Sequence, residues 1–289
     1  MQYAIIAAFL ASLLWGIEDA LSKKPVDKLG ISRTNSIALV VGLLPLAIVA
    51  AFYPVHMTNA EIFISILSGI FWGAGFMLVY KSVSTENVTT TYALNEIYPA
   101  IIIIFGILGL GEKVSTINTI LIIAIFLGAL LVMVGGNLRL NMRLLYAVLA
   151  NISWGIFWIL IISVIHANGN FAVPLLIARA MAAISVILFF AVFSGRHRSN
   201  TPQSKPHTAY LFSAPVLIAA FLGVIDAIGN DAMGFVSTTN FITIGGGIIA
   251  TSPIFIALIG RFLYRDRLLL IQWAGFVVMV FAAAILALF

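Results

Sequence analysis

Long apolar segments alternate with short polar connections along the whole chain. A helix needs about 20 mostly apolar residues to cross the hydrocarbon core of a bilayer, and we count ten such segments. They are much longer than the ~10-residue alternating strands of an outer-membrane barrel. The pattern therefore predicts an all-α polytopic membrane protein with ten transmembrane helices. The predicted spans are residues 2–22, 34–54, 60–82, 89–109, 116–136, 142–166, 171–194, 209–234, 241–263 and 270–289.

The composition excludes a water-soluble globule. Of the 289 residues, 62% are hydrophobic and only 9% are charged, whereas a soluble domain has about 25% charged residues. The chain has no cysteine, which excludes a disulfide framework and a thiolate metal site. The four histidines lack the spacing of metal ligands, and the sequence contains no Walker A motif. We therefore predict no metal site, no cofactor and no ATP-driven pumping by this chain.

Basic residues lie almost entirely on one side of the predicted membrane. The odd-numbered connections carry thirteen Lys and Arg residues, whereas the even-numbered connections and both tails carry only Lys113. Because cytoplasmic loops collect Lys and Arg, both termini are predicted to face away from the cytoplasm. This distribution explains the net charge of +5 without nucleic-acid binding. The first segment has neither a basic n-region nor a cleavage motif, so we expect a retained span rather than a signal peptide.

Two internal similarities divide the chain. Residues 10–17 (LASLLWGI) reappear as residues 149–156 (LANISWGI), at an offset of 139. Pro99, an apolar run and Gly-Glu-Lys are matched by Pro253, an apolar run and Arg-Asp-Arg, at an offset of 154. The linker 195–208, which is rich in Pro, Ser and charge, accounts for the difference between the two offsets.

The similarities predict two repeats of five spans each, residues 1–138 and 139–289. Because five is an odd number, the second repeat must enter the membrane from the opposite face. Such inverted repeats are typical of secondary transporters, whose substrate site lies near the membrane midplane at the repeat interface.

These features together resemble a known family. The five-plus-five arrangement, Trp-Gly in the first span of each half, and Pro99 followed by Gly111-Glu112-Lys113 are similar to the drug/metabolite transporter superfamily, and to its EamA-type members in particular. In the second half, Arg265-Asp266-Arg267 replaces Gly-Glu-Lys. The resemblance implies alternating access, location in the plasma (inner) membrane of a prokaryote, and substrates such as amino acids, choline-like amines, sugars or nucleotide sugars.

Acidic side chains inside the spans indicate a binding site. A charge near the bilayer centre costs at least ~2.5–3.5 kcal/mol, so each acid must face a cavity, be paired or be protonated. Arg179 is the one basic residue clearly inside a span, which leaves an acidic excess. This arginine would serve either as a structural counter-ion to one of the acids or as a ligand for an anion. That excess favours a cationic or amine-bearing substrate, a bound proton, or both. The five acids are Glu18, Asp19, Glu96, Asp226 and Asp231.

The predicted substrate site combines these acids with aromatic side chains. Glu96 is the leading candidate for binding a cation or proton, because Pro99 supplies no N–H to the carbonyl of Asn95 beside it. Deep tryptophans are unusual because Trp normally lies at the membrane interface. They would either form cation–π contacts or pack the helices. The predicted substrate-binding residues are Trp15, Glu18, Asp19, Trp72, Tyr92, Asn95, Glu96, Trp154, Trp158, Arg179, Asp226 and Asn230.

Helix interruptions occupy matching positions in spans four and nine. Such paired interruptions indicate the binding region of a transporter; the alternative is simple kinking of the helices, which needs no ligand. We expect the cavity to open and close by bending at these points. The predicted hinge residues are Pro99, Gly245, Gly246, Gly247 and Pro253.

The sequence thus predicts a non-enzymatic secondary active transporter of a small amine-bearing metabolite, either a choline-like amine or an amino acid. Proton coupling and exchange both agree with the acidic excess. The expected partners are the substrate, the lipid bilayer and protons, with no nucleic acid, and the chain is expected to be a monomer or a homodimer. The alternatives are an anionic or sugar-type substrate held by Arg179, a channel, and an intramembrane hydrolase using Asp226 and Glu96.

Overall fold

The described part of the chain is helical throughout. A computed structural model describes residues 1–54, 56–83, 98–133, 142–193, 213–264 and 269–287, and these residues form no strand. The helices are α1 (Gln2–Val41), α2 (Leu43–Ala50), α3 (Asn59–Val83), α4 (Tyr98–Ile104), α5 (Thr116–Met133), α6 (Met142–Asn168), α7 (Ala172–Phe193), α8 (Ala214–Ser237), α9 (Ile242–Ile249), α10 (Ser252–Tyr264) and α11 (Leu270–Leu286). A π-helical turn, Phe105–Gly109, extends α4.

Six helical stretches in the described residues are long and apolar enough to cross a membrane, which agrees with a multi-pass membrane protein. Three further apolar helices are shorter, at 10–17 residues. The count of ten spans and the inversion of the two halves stay predictions. The six long stretches are Gln2–Ala50, Asn59–Val79, Leu145–Asn168, Ala172–Val192, Ala214–Ser237 and Ile242–Leu263, and the shorter ones are Tyr98–Gly109, Thr116–Val132 and Leu270–Leu286.

A glycine kink divides the first long stretch. Helix α1 has 40 residues, which as a straight helix would measure about 60 Å, twice the hydrocarbon thickness of a bilayer. Gly30 has φ 79° and ψ 164°, a conformation that glycine adopts readily and other residues rarely do. The kink lies between the first predicted span, 2–22, and the second, 34–54.

Helices from the two halves of the chain pack against one another. Helix α1 packs along α8, and α3 packs against α6 and α7. Helix α4 contacts α9, and α5 packs against α11. The central cavity lies among α1, α3, α6 and α8, each of which contributes side chains to it.

The interruption in the ninth predicted span lies between the glycine triplet and Pro253. Gly245, Gly246 and Gly247 are buried within α9, and the helix stops at Ala250 and Thr251. A Cβ atom at Gly247 would lie 2.9 Å from Ile122 Cγ1, so the glycine allows close helix packing. Pro253 lies in the first turn of α10, where a missing N–H costs no helical hydrogen bond.

Glu112 joins α9 to the chain that follows α4. Its Oε1 accepts a hydrogen bond from the Ile242 N–H at 2.8 Å, and its Oε2 accepts one from the Thr243 N–H at 2.7 Å. These N–H groups are at the start of α9, where no intrahelical acceptor is available. The carboxylate therefore caps a helix of the second half from a connection of the first half.

Candidate functional site

The cavity is lined by acidic and aromatic side chains. It encloses ≈ 410 Å³ of unfilled space, open solvent at its mouth included. Eight of the twelve predicted substrate-binding residues lie around it, together with three aromatic residues that were not predicted. The lining residues are Trp15, Glu18, Asp19, Trp72, Phe76, Tyr98, Trp154, Phe157, Trp158, Asp226 and Asn230.

Four of the predicted residues do not appear in this lining. Tyr92, Asn95 and Glu96 lie outside the described residues. Arg179 is fully buried next to the cavity and does not line it. The predicted linker 195–208 also lies outside the described residues.

The polar side chains of the lining come from two helices that pack together. Helix α1 contributes Glu18 and Asp19, and α8 contributes Asp226 and Asn230 one turn apart. The Asn230 amide donates to the Asp226 carbonyl oxygen and to Asp226 Oδ1, each at 2.7 Å. We call these four residues the polar cluster.

Arg179 anchors the polar cluster from behind. Its Nη1 donates to Asp226 Oδ2. Its Nε donates to the Leu39 carbonyl oxygen at 3.1 Å, and its Nη2 donates to the carbonyl oxygens of Ala38 at 2.8 Å and Gly223 at 3.3 Å. The side chain thereby ties α7 to both α1 and α8. This geometry fits a structural counter-ion for Asp226, one of the two roles that the sequence left open for Arg179.

Seven aromatic side chains form a continuous chain of ring contacts around the cavity. Trp72 stacks on Phe157, with ring centroids 4.6 Å apart and an interplanar angle of 19°. The other neighbouring rings are 4.9–6.3 Å apart and meet at steep angles. Most of these rings come from α3 and α6. In order of contact, the chain is Trp72, Phe157, Trp158, Trp15, Tyr98, Trp154 and Phe76; we call it the aromatic chain.

Glycines of α8 and α3 hold two of these tryptophans close to the helix backbone. A Cβ atom at Gly229 would lie 2.8 Å from Trp15 Nε1, and one at Gly75 would lie 2.4 Å from Trp154 Nε1. Any larger residue would force the indole to move. The position of each indole therefore depends on a glycine in the opposite half of the chain.

The sequence did not predict three of the lining residues, although each lies next to a predicted residue or one helical turn from it. Phe76 follows Trp72 by one helical turn, Phe157 precedes Trp158 directly, and Tyr98 precedes Pro99. Phenylalanine is so frequent in membrane helices that its spacing alone carries little information. Contact with known cavity residues was required to identify these three.

The described residues offer no site for a metal ion. They contain no group of three or more His, Cys, Asp or Glu side chains arranged to hold one. Within the polar cluster, the Asp226 carboxylate accepts hydrogen bonds from Arg179 and Asn230.

Comparison with known proteins finds a family match in the first part of the chain. Residues 2–134 match the EamA-like transporter family, which belongs to the drug/metabolite transporter superfamily. No curated protein matches the chain. A solved structure described only as "Crystal structure of protein" has a TM-score of 0.68 and 15% sequence identity, and the match covers 99% of this chain and 98% of that one. At this identity the likeness shows a shared fold and nothing of the substrate.

Proposed function

From the match of residues 2–134 to the EamA-like transporter family, we propose that the chain is a secondary transporter whose substrate is a small organic cation bearing an amine. The observation that carries the proposal is the charge balance of the cavity. Glu18, Asp19 and Asp226 line it, and the nearby cation, Arg179, is already paired with Asp226.

The carboxyl groups of the cavity also support coupling of transport to a proton. Glu18, Asp19 and Asp226 line one cavity, so a proton bound among them would relieve the repulsion between their carboxylates. A bound ammonium group supplies both positive charge and N–H donors, and would replace that proton. Exchange of a proton for an amine is therefore the form of coupling that we propose.

The aromatic chain supplies the second part of substrate recognition. An ammonium group over the face of an indole gains about 0.5–2 kcal/mol from the cation–π interaction. Trp158 lines the cavity and is 2% exposed, so contact with its ring would occur away from water. The apolar body of the substrate would pack on the same rings.

Paired contacts support the proposed inverted repeat and alternating access. Trp15 and Trp154 occupy equivalent positions at the offset of 139, and their partners Gly229 and Gly75 are equivalent at the offset of 154. Two contacts related in this way are expected of a pseudo-two-fold axis through the cavity. We propose that the cavity opens alternately to the two faces by movement of α4, α9 and α10 about that axis.

The alternatives have less support. An anionic substrate held by Arg179 would compete with four hydrogen bonds that this side chain already makes. The orientation with both termini outside the cytoplasm, and the location in the inner membrane of a prokaryote, remain parts of the proposal that rest on the charge distribution and on the resemblance.

Thermal stabilisation of the purified chain in detergent tests the proposed function. A ligand that binds the folded protein alone stabilises it by about 2.7 kcal/mol at 100 times its Kd. We expect amines such as choline or 2-phenylethylamine to raise the melting temperature, and Glu18→Gln to abolish the shift. Asp27→Asn, at an exposed acid that pairs with Lys23, is the control and should keep it. If no amine stabilises the wild-type chain at any pH, the proposal is wrong.

A further inference from the structure

We infer that the cavity selects amines that carry an apolar body and no carboxylate, and that it therefore rejects amino acids. The inference rests on the proposed function and narrows its substrate class. It depends on the charged and strongly donating groups that the described residues bring to the cavity.

The guanidinium group of Arg179 has little capacity left for a substrate. An arginine side chain has five N–H donors, and four hydrogen bonds from Arg179 go to Asp226 and to backbone carbonyl oxygens. Its central carbon lies 5.1 Å from the centroid of the Trp72 ring, and Trp72 lines the cavity. The side chain is 0% exposed. A substrate carboxylate in the cavity would find this cation occupied and out of reach.

The remaining polar groups would repel a carboxylate. Asn230 directs its amide nitrogen to Asp226, with hydrogen bonds to two oxygen atoms of that residue. Glu18, Asp19 and Asp226 are acids, each no more than 9% exposed. Indole N–H groups are neutral donors and do not balance a negative charge. Like charges brought together at a buried site cost several kcal/mol. The acids of the cavity would therefore repel the carboxylate of a zwitterionic amino acid and weaken its binding.

The aromatic chain specifies the rest of the substrate. Its seven rings outnumber the four members of the polar cluster around the same cavity. An apolar or aromatic body would therefore be buried against rings, with the ammonium group directed to Glu18 and Asp19. Specificity of this kind comes from repulsion of the wrong ligand as much as from attraction of the right one.

Matched ligand pairs that differ by a carboxylate test the inference. The pairs are 2-phenylethylamine with phenylalanine, and choline with glycine betaine, each titrated against the full chain in detergent. Four of the five tryptophans line the cavity, so intrinsic fluorescence reports binding directly. We expect each amine to bind with a Kd at least about tenfold lower than that of its carboxylate partner.

The outcomes separate the inference from the proposed function. Equal or tighter binding of phenylalanine and betaine would overturn the inference and leave a transporter of amine-bearing substrates in place. Absence of binding by all four compounds would overturn the proposed function as well. Asp226→Asn removes a carboxylate and releases an Arg179 donor, so the ratio of the two Kd values within each ligand pair should fall. Asp231 does not line the cavity, so Asp231→Asn should keep the wild-type ratio. If Asp226→Asn does not fold, the wild-type pairs decide the question alone.

Discussion

At the level of single residues, Arg179 has the largest structural consequences. It is 0% exposed and its hydrogen bonds reach Leu39 and Ala38 of α1 as well as Asp226 and Gly223 of α8. An isolated buried charge is very costly, so the guanidinium and the Asp226 carboxylate depend on each other. The sequence identified both residues as intramembrane charges. It left two roles for the arginine, because spacing along separate helices does not reveal which groups meet.

Arg179→Lys should destabilise the protein in the absence of any ligand. A lysine ammonium is a compact charge with three donors and lacks the planar fork of arginine, so it cannot reproduce the four hydrogen bonds that the guanidinium makes. Breaking a buried ion pair costs about 3–5 kcal/mol, and partial retention of the charge should bring the loss to the lower end. The melting temperature in detergent measures the effect. Arg261→Lys, at an exposed position, is the control; equal melting temperatures for the two variants would contradict this role of Arg179.

At the level of helices, the sequence predicted the positions of apolar segments well and the interruption within one of them less well. The triplet Gly245–Gly247 looked like a break because glycine weakens an isolated helix. In the structure, the triplet stays helical and packs against Val236, Ile103 and Ile122. The break follows at Ala250 and Thr251, just before Pro253, which lies in the first turn of α10, where proline is favoured. Tertiary packing decided this case, and single-sequence reasoning has no access to it.

Helix α9 should depend on a residue far away in the chain. Glu112→Ala removes the acceptor of the Ile242 and Thr243 N–H groups, and hydrogen bonds to a charged group contribute about 1.5–3 kcal/mol each. We expect a lower melting temperature, with Glu112→Gln intermediate because its amide oxygen still accepts one hydrogen bond. Lys113→Ala, at the next position, is the control. An unchanged melting temperature in Glu112→Ala would mean that water or another group caps α9 equally well.

At the level of the whole molecule, equivalent positions of the two halves carry different side chains. The acids of α1 are equivalent to aromatic residues of α6, and the aromatic residues of α3 are equivalent to polar residues of α8. Because α1 packs on α8 and α3 on α6, the polar residues gather together and the aromatic residues gather together. The sequence contained both offsets but did not show which helices meet. The equivalent pairs are Glu18 with Phe157, Asp19 with Trp158, Trp72 with Asp226, and Phe76 with Asn230.

The inverted orientation of the halves makes a prediction about sidedness. The ninth predicted span is the equivalent of the fourth in the second half of the chain. Lys113 follows the fourth span, and Arg261 lies near the end of the ninth. Inverted repeats place these residues on opposite faces, whereas parallel repeats place them on the same face. Because the chain has no cysteine, a single introduced cysteine gives an unambiguous label. We expect an impermeant maleimide to label Lys113→Cys in intact cells and Arg261→Cys only after permeabilisation.

The control for this labelling is the cysteine-free parent chain, which should give no signal under either condition. Removal of one positive charge from either connection leaves the bias of the remaining twelve or thirteen residues on the predicted cytoplasmic side, so neither variant should reverse its own orientation. Labelling of both variants from the same side would exclude inversion and, with it, the pseudo-two-fold axis that relates Trp15 and Gly229 to Trp154 and Gly75. The charge balance of the cavity would stand in that case, because it depends on side-chain contacts and not on symmetry.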